Sequence, residues 1–221
     1  MTLALFDLDN TLLNGDSDHA WGSFLVRKQL VDAEAFAAAN ERFYGQYKAG
    51  QLDIHEYNRF ALRFLSEHDR DYLQALHQQF MQEDILPMIG QAARELVQSH
   101  RKQGHTLVII TATNHFVTAP IAAEFGIEHL LAINPKMANG RIVAEIDGVP
   151  SFREGKITRL QAWLAGRDET LAGSYFYSDS HNDLPLLEIV EHPVAVDPDP
   201  VLQDIATERG WAVISLHSSG H

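Results

Sequence analysis

The segment Leu3-Ala4-Leu5-Phe6-Asp7-Leu8-Asp9 constrains the fold more than any other part of this 221-residue chain. An apolar run from Leu3 to Leu8, broken only by one aspartate, predicts a strand buried on both faces. Residues i and i+2 of a strand share a face. Asp7 and Asp9 are therefore expected to point the same way where the buried strand runs out into a loop. Two carboxylates held that close repel unless a cation or a shared proton relieves them. A structural role gives little reason to accept that cost, whereas an acidic nucleophile, a proton shuttle and a metal site each give one.

The next residues, Asn10 to Asp18, form a polar loop pattern. From about Ala20 to Glu83 the apolar positions recur at helical spacing, as in Trp21, Phe24 and Leu25, then Tyr57, Phe60, Ala61, Phe64 and Leu65. This predicts a helical domain, residues 15–83, inserted into a core made of residues 1–14 and 84–221. After Pro87 and Gly90 the pattern changes. Helices are expected at 91–103, 117–125, 156–164 and 184–190, and strands at 106–111, 130–133, 174–178, 194–196 and 211–214. Residues 141–146 read as one arm of a small hairpin, and Asp197-Pro198-Asp199-Pro200 as a turn. Strands alternating with helices predict an α/β fold, a doubly wound parallel Rossmann-like sheet. Ligands in such sheets bind beyond the carboxyl ends of the strands. Asp7, Thr111 and Asp179 all fall at such ends.

Composition narrows the function. With no cysteine, disulfides, thiolate metal sites and cysteine nucleophiles are excluded. A net charge of −13 with no basic cluster argues against nucleic acid as a partner. An acidic protein handling an anionic substrate needs a local cation, which points to a bound metal. Met1-Thr2-Leu3-Ala4 has no positive region ahead of its apolar stretch, and no apolar run reaches the length of a membrane span. A cytoplasmic protein without a membrane partner is the expectation. Oligomeric state is not legible.

Four elements in order, Asp7-Leu8-Asp9-Asn10-Thr11, Ile109-Ile110-Thr111, Gly155-Lys156 and Ser178-Asp179-Ser180-His181-Asn182-Asp183, resemble the haloacid dehalogenase superfamily. The resemblance spans nearly the whole chain. It implies a Mg²⁺-dependent phosphatase acting on a small phosphate ester. Asp7 would be the nucleophile that forms an aspartyl-phosphate, and Asp9 the general acid and base. Thr111 would hold the phosphoryl oxygens, and Lys156 would pair with Asp7 and the phosphate. Asn182 would add a phosphate contact. Asp7, the Asp9 carbonyl, Asp179 and Asp183, the last directly or through water, would serve the metal.

In this family a helical insert just after the first motif is a cap, and the insert here is similar to that of the phosphoserine phosphatase-like branch. That branch carries a Glu shortly after the first motif, where this chain has Asp16. Its cap also offers an Arg and a Phe to the substrate. Alignment on Gly50-Gln51-Leu52 puts Ile54 and Ala61 at those places, with Arg59 and Arg63 out of register. The opening through Asp16 and Asp18 is more similar to bacterial histidinol-phosphate phosphatase-like members. Asp16 and Asp18 are candidates to bind a substrate amine, which favours histidinol phosphate over phosphoserine. A phosphotransferase and a receiver-like phosphoacceptor domain are the alternative readings. The twelve histidines show no HxH or HExxH spacing. Only His19 and His181 are placed to approach the pocket.

Overall fold

The computed structural model describes residues 2–217. Seven strands form one sheet in the order β4-β3-β2-β1-β5-β6-β7. They are β1 (Leu3–Phe6), β2 (Thr106–Asn114), β3 (His129–Ala138), β4 (Arg141–Asp147), β5 (Tyr175–Ser178), β6 (His192–Val196) and β7 (Ala212–Ile214). All neighbours pair in parallel except β3 and β4. The first strand is central, pairing Leu3 with Thr106 on one side and Ala4 with Tyr175 on the other.

Both faces of β1 are buried, which accounts for its unbroken apolar run. Leu3 and Leu5 pack with Val108, Ile110 and Phe176 under α9 (Glu154–Leu164), α10 (Leu184–Leu187) and α11 (Pro200–Arg209). Ala4 and Phe6 face the opposite cluster, with Val97 of α7 (Gln91–Lys102) and Val117 and Ile121 of α8 (His115–Glu124). Fully burying a side chain such as Phe6 contributes about 1.5–3 kcal/mol.

The insert between β1 and α7 holds α1 (Ser17–Arg27), α2 (Ala33–Lys48), α3 (Ile54–Ala61), α4 (Arg63–Glu67) and α5 (Arg70–Phe80). The chain continues through Met81–Ile85 into a single turn, α6 (Leu86–Met88). Asp16, Asp32, Asp53 and Asp69 cap α1, α2, α3 and α5, their carboxylates accepting N–H bonds from the first turns. Part of the acidic excess is thus spent on helix starts. On one side the insert rests on α8. The Trp21 ring packs against Phe116, and the buried His77 ring contacts the Val117 carbonyl oxygen through Nε2 at 2.9 Å. On the other side α3 and α4 pack against β4.

That second support comes from the hairpin. Its partner arm is β3, which continues past the parallel ladder and turns back at Asn139-Gly140, with φ of 51° and 76°. Two left-handed residues in sequence are what a tight antiparallel turn requires. The structure also has a helix beyond those expected, α11. Its signals are present: Asp199 as the cap, Pro200 in the first turn and Gly210 in a left-handed C-terminal position. The Asp197–Pro200 turn leads directly into it. The helix expected at 184–190 is only the short α10, Leu184–Leu187. Among the described residues no helix is long and apolar enough to cross a membrane.

Candidate active site

At its carboxyl end β1 still belongs to the sheet, since the Asp7 N–H donates to the Tyr177 carbonyl at 2.9 Å. The chain then leaves the ladder. Asp9 is extended, Asn10 turns left-handed at φ 55°, and the Leu13 N–H returns to the Leu8 carbonyl at 3.0 Å. Thr11 is fully buried beneath this turn. Its hydroxyl accepts the Asp179 N–H at 3.0 Å and donates to Asp179 Oδ1 at 3.2 Å. Residues 168 positions apart are thereby tied at neighbouring strand ends.

Lys156 comes from the first turn of α9, behind Gly155. A Cβ at Gly155 would stand 2.0 Å from the Pro150 carbonyl oxygen, so glycine is what lets this loop close against the helix. Lys156 Nζ donates to Asp7 Oδ1 and to Asp183 Oδ2, each at 2.7 Å. The Ser178 hydroxyl donates to the same Asp183 oxygen at 2.7 Å. Asp183 therefore orients the lysine that faces Asp7.

Asp9 has different partners. Its Oδ1 accepts the Ser17 N–H at 2.7 Å, while Oδ2 accepts the hydroxyls of Thr113 at 2.7 Å and Thr111 at 3.5 Å. The Thr111 oxygen also accepts the Thr113 N–H at 3.1 Å. Asp7, Asp9, Thr111, Lys156, Asn182, Asp183, Asp16 and Asp18 all line one cavity between the strand ends and the insert, as does His19. His181 instead pairs its Nδ1 with Asp199 Oδ2 at 2.8 Å.

Burial sets the electrostatics. It pushes Asp7 up to about 7, with Lys156 opposing and Asp183 and Asp9 adding to the rise. Asp179, half-buried at its strand end, is held well above the usual carboxylate range by burial and then by Asp7 and Asp183. Burial works against the charge of Lys156, but Asp183 and Asp7 outweigh it and keep the amine protonated. One buried ammonium thus pairs with Asp7 and Asp183 and leaves Asp179 without a cation partner among the described residues, a negative surplus that suits a divalent cation with oxygen ligands. Among the described residues no three His, Cys, Asp or Glu side chains converge to cage a metal.

Asp9 is pushed up to about 6, by burial first and then by the negative charge of Asp16. The charge acting on Asp9 is therefore that of Asp16 from the start of α1. Asp16 spends Oδ1 on capping α1, accepting the N–H groups of Asp18 and His19 at 2.9 Å. Asp18 accepts the Tyr57 hydroxyl at 2.5 Å. Burial raises both carboxyls to about 6, and Tyr57 is held well above its ordinary value by burial and Asp18, so it stays a donor.

Several residues that complete the site carry weak sequence signals. Thr113 is detectable only as the same-face neighbour of Thr111. Ser178 precedes the fourth motif's first aspartate. Tyr47 and Tyr57, on helices of the insert, read as packing aromatics. Arg153 lies three residues before Lys156 in a loop. Its Nε donates to Asn182 Oδ1 at 3.1 Å, and its backbone sits at φ 51°, ψ −125°. A non-glycine residue held there costs about 1–3 kcal/mol.

The profile of the haloacid dehalogenase-like hydrolase family matches residues 4–188. A histidinol-phosphatase of Neisseria meningitidis serogroup C (strain 8013) is 47% identical over 218 residues, covering 97% of this chain and 98% of the relative. Phosphoserine phosphatase SerB1 of Mycobacterium tuberculosis (strain H37Rv) is 31% identical over 95% of this chain and 69% of its own length. A crystal structure of a protein of unknown function from Bordetella pertussis Tohama I superposes with a TM-score of 0.92 at 44% identity, covering 98% of this chain and 100% of that one. A phosphoserine phosphatase solved as a phospho-aspartyl intermediate analogue shares the fold, with a TM-score of 0.69 at 14% identity over 98% of this chain and 93% of that one. With its four motifs gathered on the carboxyl edge of a parallel sheet, the chain belongs to the haloacid dehalogenase-like hydrolase family.

Proposed function

We propose that this hydrolase is a phosphatase that cleaves a small phosphate monoester through an aspartyl-phosphate on Asp7. The observation that carries the reading is the Lys156 ammonium, 2.7 Å from both Asp7 and Asp183 on the floor of a cavity that also holds Asp9 and Thr111. Lys156 offsets charge as Asp7 attacks phosphorus, and the Thr111 hydroxyl and Asn182 amide receive phosphoryl oxygens. Asp9, raised to about 6, keeps a protonated fraction near neutral pH. It gives that proton to the leaving oxygen, then takes one from the water that attacks the acyl phosphate. Thr113 and Ser17 hold its carboxyl for both steps. Asp7, Asp179 and the Asp9 carbonyl would hold Mg²⁺, with Asp183 supporting Lys156 and the bound water. When bound, the ion supplies Lewis-acid charge stabilisation at the phosphoryl oxygens.

The substrate reading rests on the far wall. Asp16 and Asp18 lie there among Phe43, Tyr44, Tyr47 and Tyr57, and Lys156 is the only Lys or Arg among the residues that line the cavity. Carboxylates beside aromatic faces suit a cationic group. Arg59 and Arg63 offer nothing to a substrate carboxylate, since both lie exposed on the insert and Arg63 bonds Glu67. Histidinol phosphate, with an ammonium, an imidazole and no carboxylate, fits this wall better than phosphoserine. The 47% identical relative that is a histidinol-phosphatase supports the same choice.

The test is phosphate release with Mg²⁺ from a panel of metabolites that includes L-histidinol phosphate and phosphoserine. L-histidinol phosphate is expected to give the highest kcat/KM, and a flat profile or a preference for phosphoserine refutes the substrate. EDTA should silence the enzyme until Mg²⁺ is restored. Asp7→Asn should abolish turnover of p-nitrophenyl phosphate, and retained activity in that variant refutes the mechanism.

A further inference from the structure

Arg153 is outside the cavity lining yet bonds to both sides of it. From the core loop before α9, its Nε donates to Asn182 Oδ1 at 3.1 Å and an NH2 group donates to the carbonyl oxygen of Gly50. Gly50 forms the turn between α2 and α3, in the insert. Tyr47, at the end of α2, sits beside this contact. Its hydroxyl donates to Ser180 Oγ at 3.3 Å, and its ring centre is 6.4 Å from that of Phe152. The Arg153 guanidinium lies 5.0 Å from the same Phe152 ring. Asn182, Tyr47 and Phe152 all line the cavity. The fit at Gly50 is close, since a Cβ there would stand 3.0 Å from the guanidinium.

The backbone makes the side chain harder to dismiss. At φ 51°, ψ −125° glycine is at ease and arginine is strained. A strained residue persists where its side chain or surroundings offset the cost. The planar guanidinium, with donors in a fixed fork, spans two acceptors at once, which a lysine ammonium on a flexible stem does poorly.

We propose that Arg153 is a positioning residue that latches the helical insert, through the Gly50 turn, to Asn182. It thereby fixes Tyr47 and Asn182 in the wall that reads the substrate. The substrate arm of this inference rests on the phosphatase reading above. The latch itself is open to a measurement that needs no substrate.

Two variants test it. R153G removes the side chain while giving the backbone the residue it prefers, and R153K keeps the charge without the fork. R153G is expected to melt at or above the wild-type temperature. Its amides in residues 46–53 should exchange with deuterium at least tenfold faster, with the sheet unchanged. Its kcat/KM for L-histidinol phosphate should fall tenfold or more, mostly through KM. For p-nitrophenyl phosphate, which shares the Asn182 contact but offers no ammonium to the wall, the loss should be at least threefold smaller. R153K should fall between. Unchanged exchange at 46–53, equal losses on the two esters, or full activity of R153G overturns the latch. A wild type inert toward L-histidinol phosphate refutes the substrate reading instead. Exchange at 46–53 then decides the latch, for it if faster and against it if unchanged.

Discussion

Asp9→Asn should inactivate the enzyme and stabilise it, and the two effects have one cause. Asp9 is an ordinary carboxyl at 3.8 when unfolded and is raised to about 6 when folded, by burial and then by Asp16. A carboxyl raised on folding contributes stability that is fully present below its unfolded value and is lost as pH rises through its folded value. At neutral pH the wild type therefore bears the cost of ionising Asp9 in place. At about 1.4 kcal/mol for each tenfold in proton affinity, the interval from 3.8 to about 6 corresponds to about 3 kcal/mol. Partial access to the cavity's solvent reduces this to about 2 kcal/mol. Asparagine is neutral and isosteric. Its oxygen can accept the Ser17 N–H, and its amide can donate to the Thr113 and Thr111 hydroxyl oxygens with the bond direction reversed, so each contact is kept. In EDTA at pH 7.5 the variant should be about 2 kcal/mol more stable than wild type, a rise in Tm of about 4–8 °C for a chain of this size. Below pH 4 the two curves should coincide. Paired thermal melts across pH 3.5–8, with the difference plotted against pH, read this directly. A variant no more stable than wild type at pH 7.5, or an advantage that persists at pH 3.5, refutes the electrostatic account of Asp9.

Other residues give separate tests. Lys156→Met strands Asp7 and Asp183, and should cost about 3–5 kcal/mol at pH 7.5 in urea unfolding. The loss should shrink toward pH 5, because Asp7, already raised to about 7, is then protonated; a loss independent of pH counts against the ion pair. Thr113→Val removes one donor to Asp9 and should lower kcat on an alkyl phosphate on the order of tenfold, as expected for a hydrogen bond to a charged group. p-Nitrophenyl phosphate, whose leaving group needs little protonation, should be far less affected, and equal losses would argue against Asp9 as the acid. Asp18→Asn should raise KM for L-histidinol phosphate on the order of tenfold and leave p-nitrophenyl phosphate unchanged. Equal shifts would remove Asp18 from substrate recognition.

The order of chemical parts was legible because each sits at a punctuation mark in the sequence. Asp7, Thr111 and Asp179 end apolar runs, and Lys156 follows a glycine in the first turn of a helix. A parallel sheet converts that local rule into a shared edge. The helices between β1 and β2 were legible from their 3.6-residue period alone. The helix Pro200–Arg209 is not legible because its opening Asp-Pro-Asp-Pro reads equally as a turn. The hairpin's second arm was hidden because β3 serves two ladders, one parallel and one antiparallel.

The sequence by itself determined that the first strand is buried on both faces, that helices follow it and which carboxylates stand at strand ends, since hydrophobic period and termination are local properties. Only the tertiary structure decided which partners those carboxylates take. Asp7 and Asp9 are two residues apart, yet one meets Lys156 and the other meets Thr113 and Ser17, because the chain twists out of the sheet between them. Asp183 turned to Lys156, Asp16 raised Asp9, and Arg153 reached across to Gly50 for the same reason. Electrostatic partners are set by distance through space and by burial, and neither is encoded in spacing along the chain.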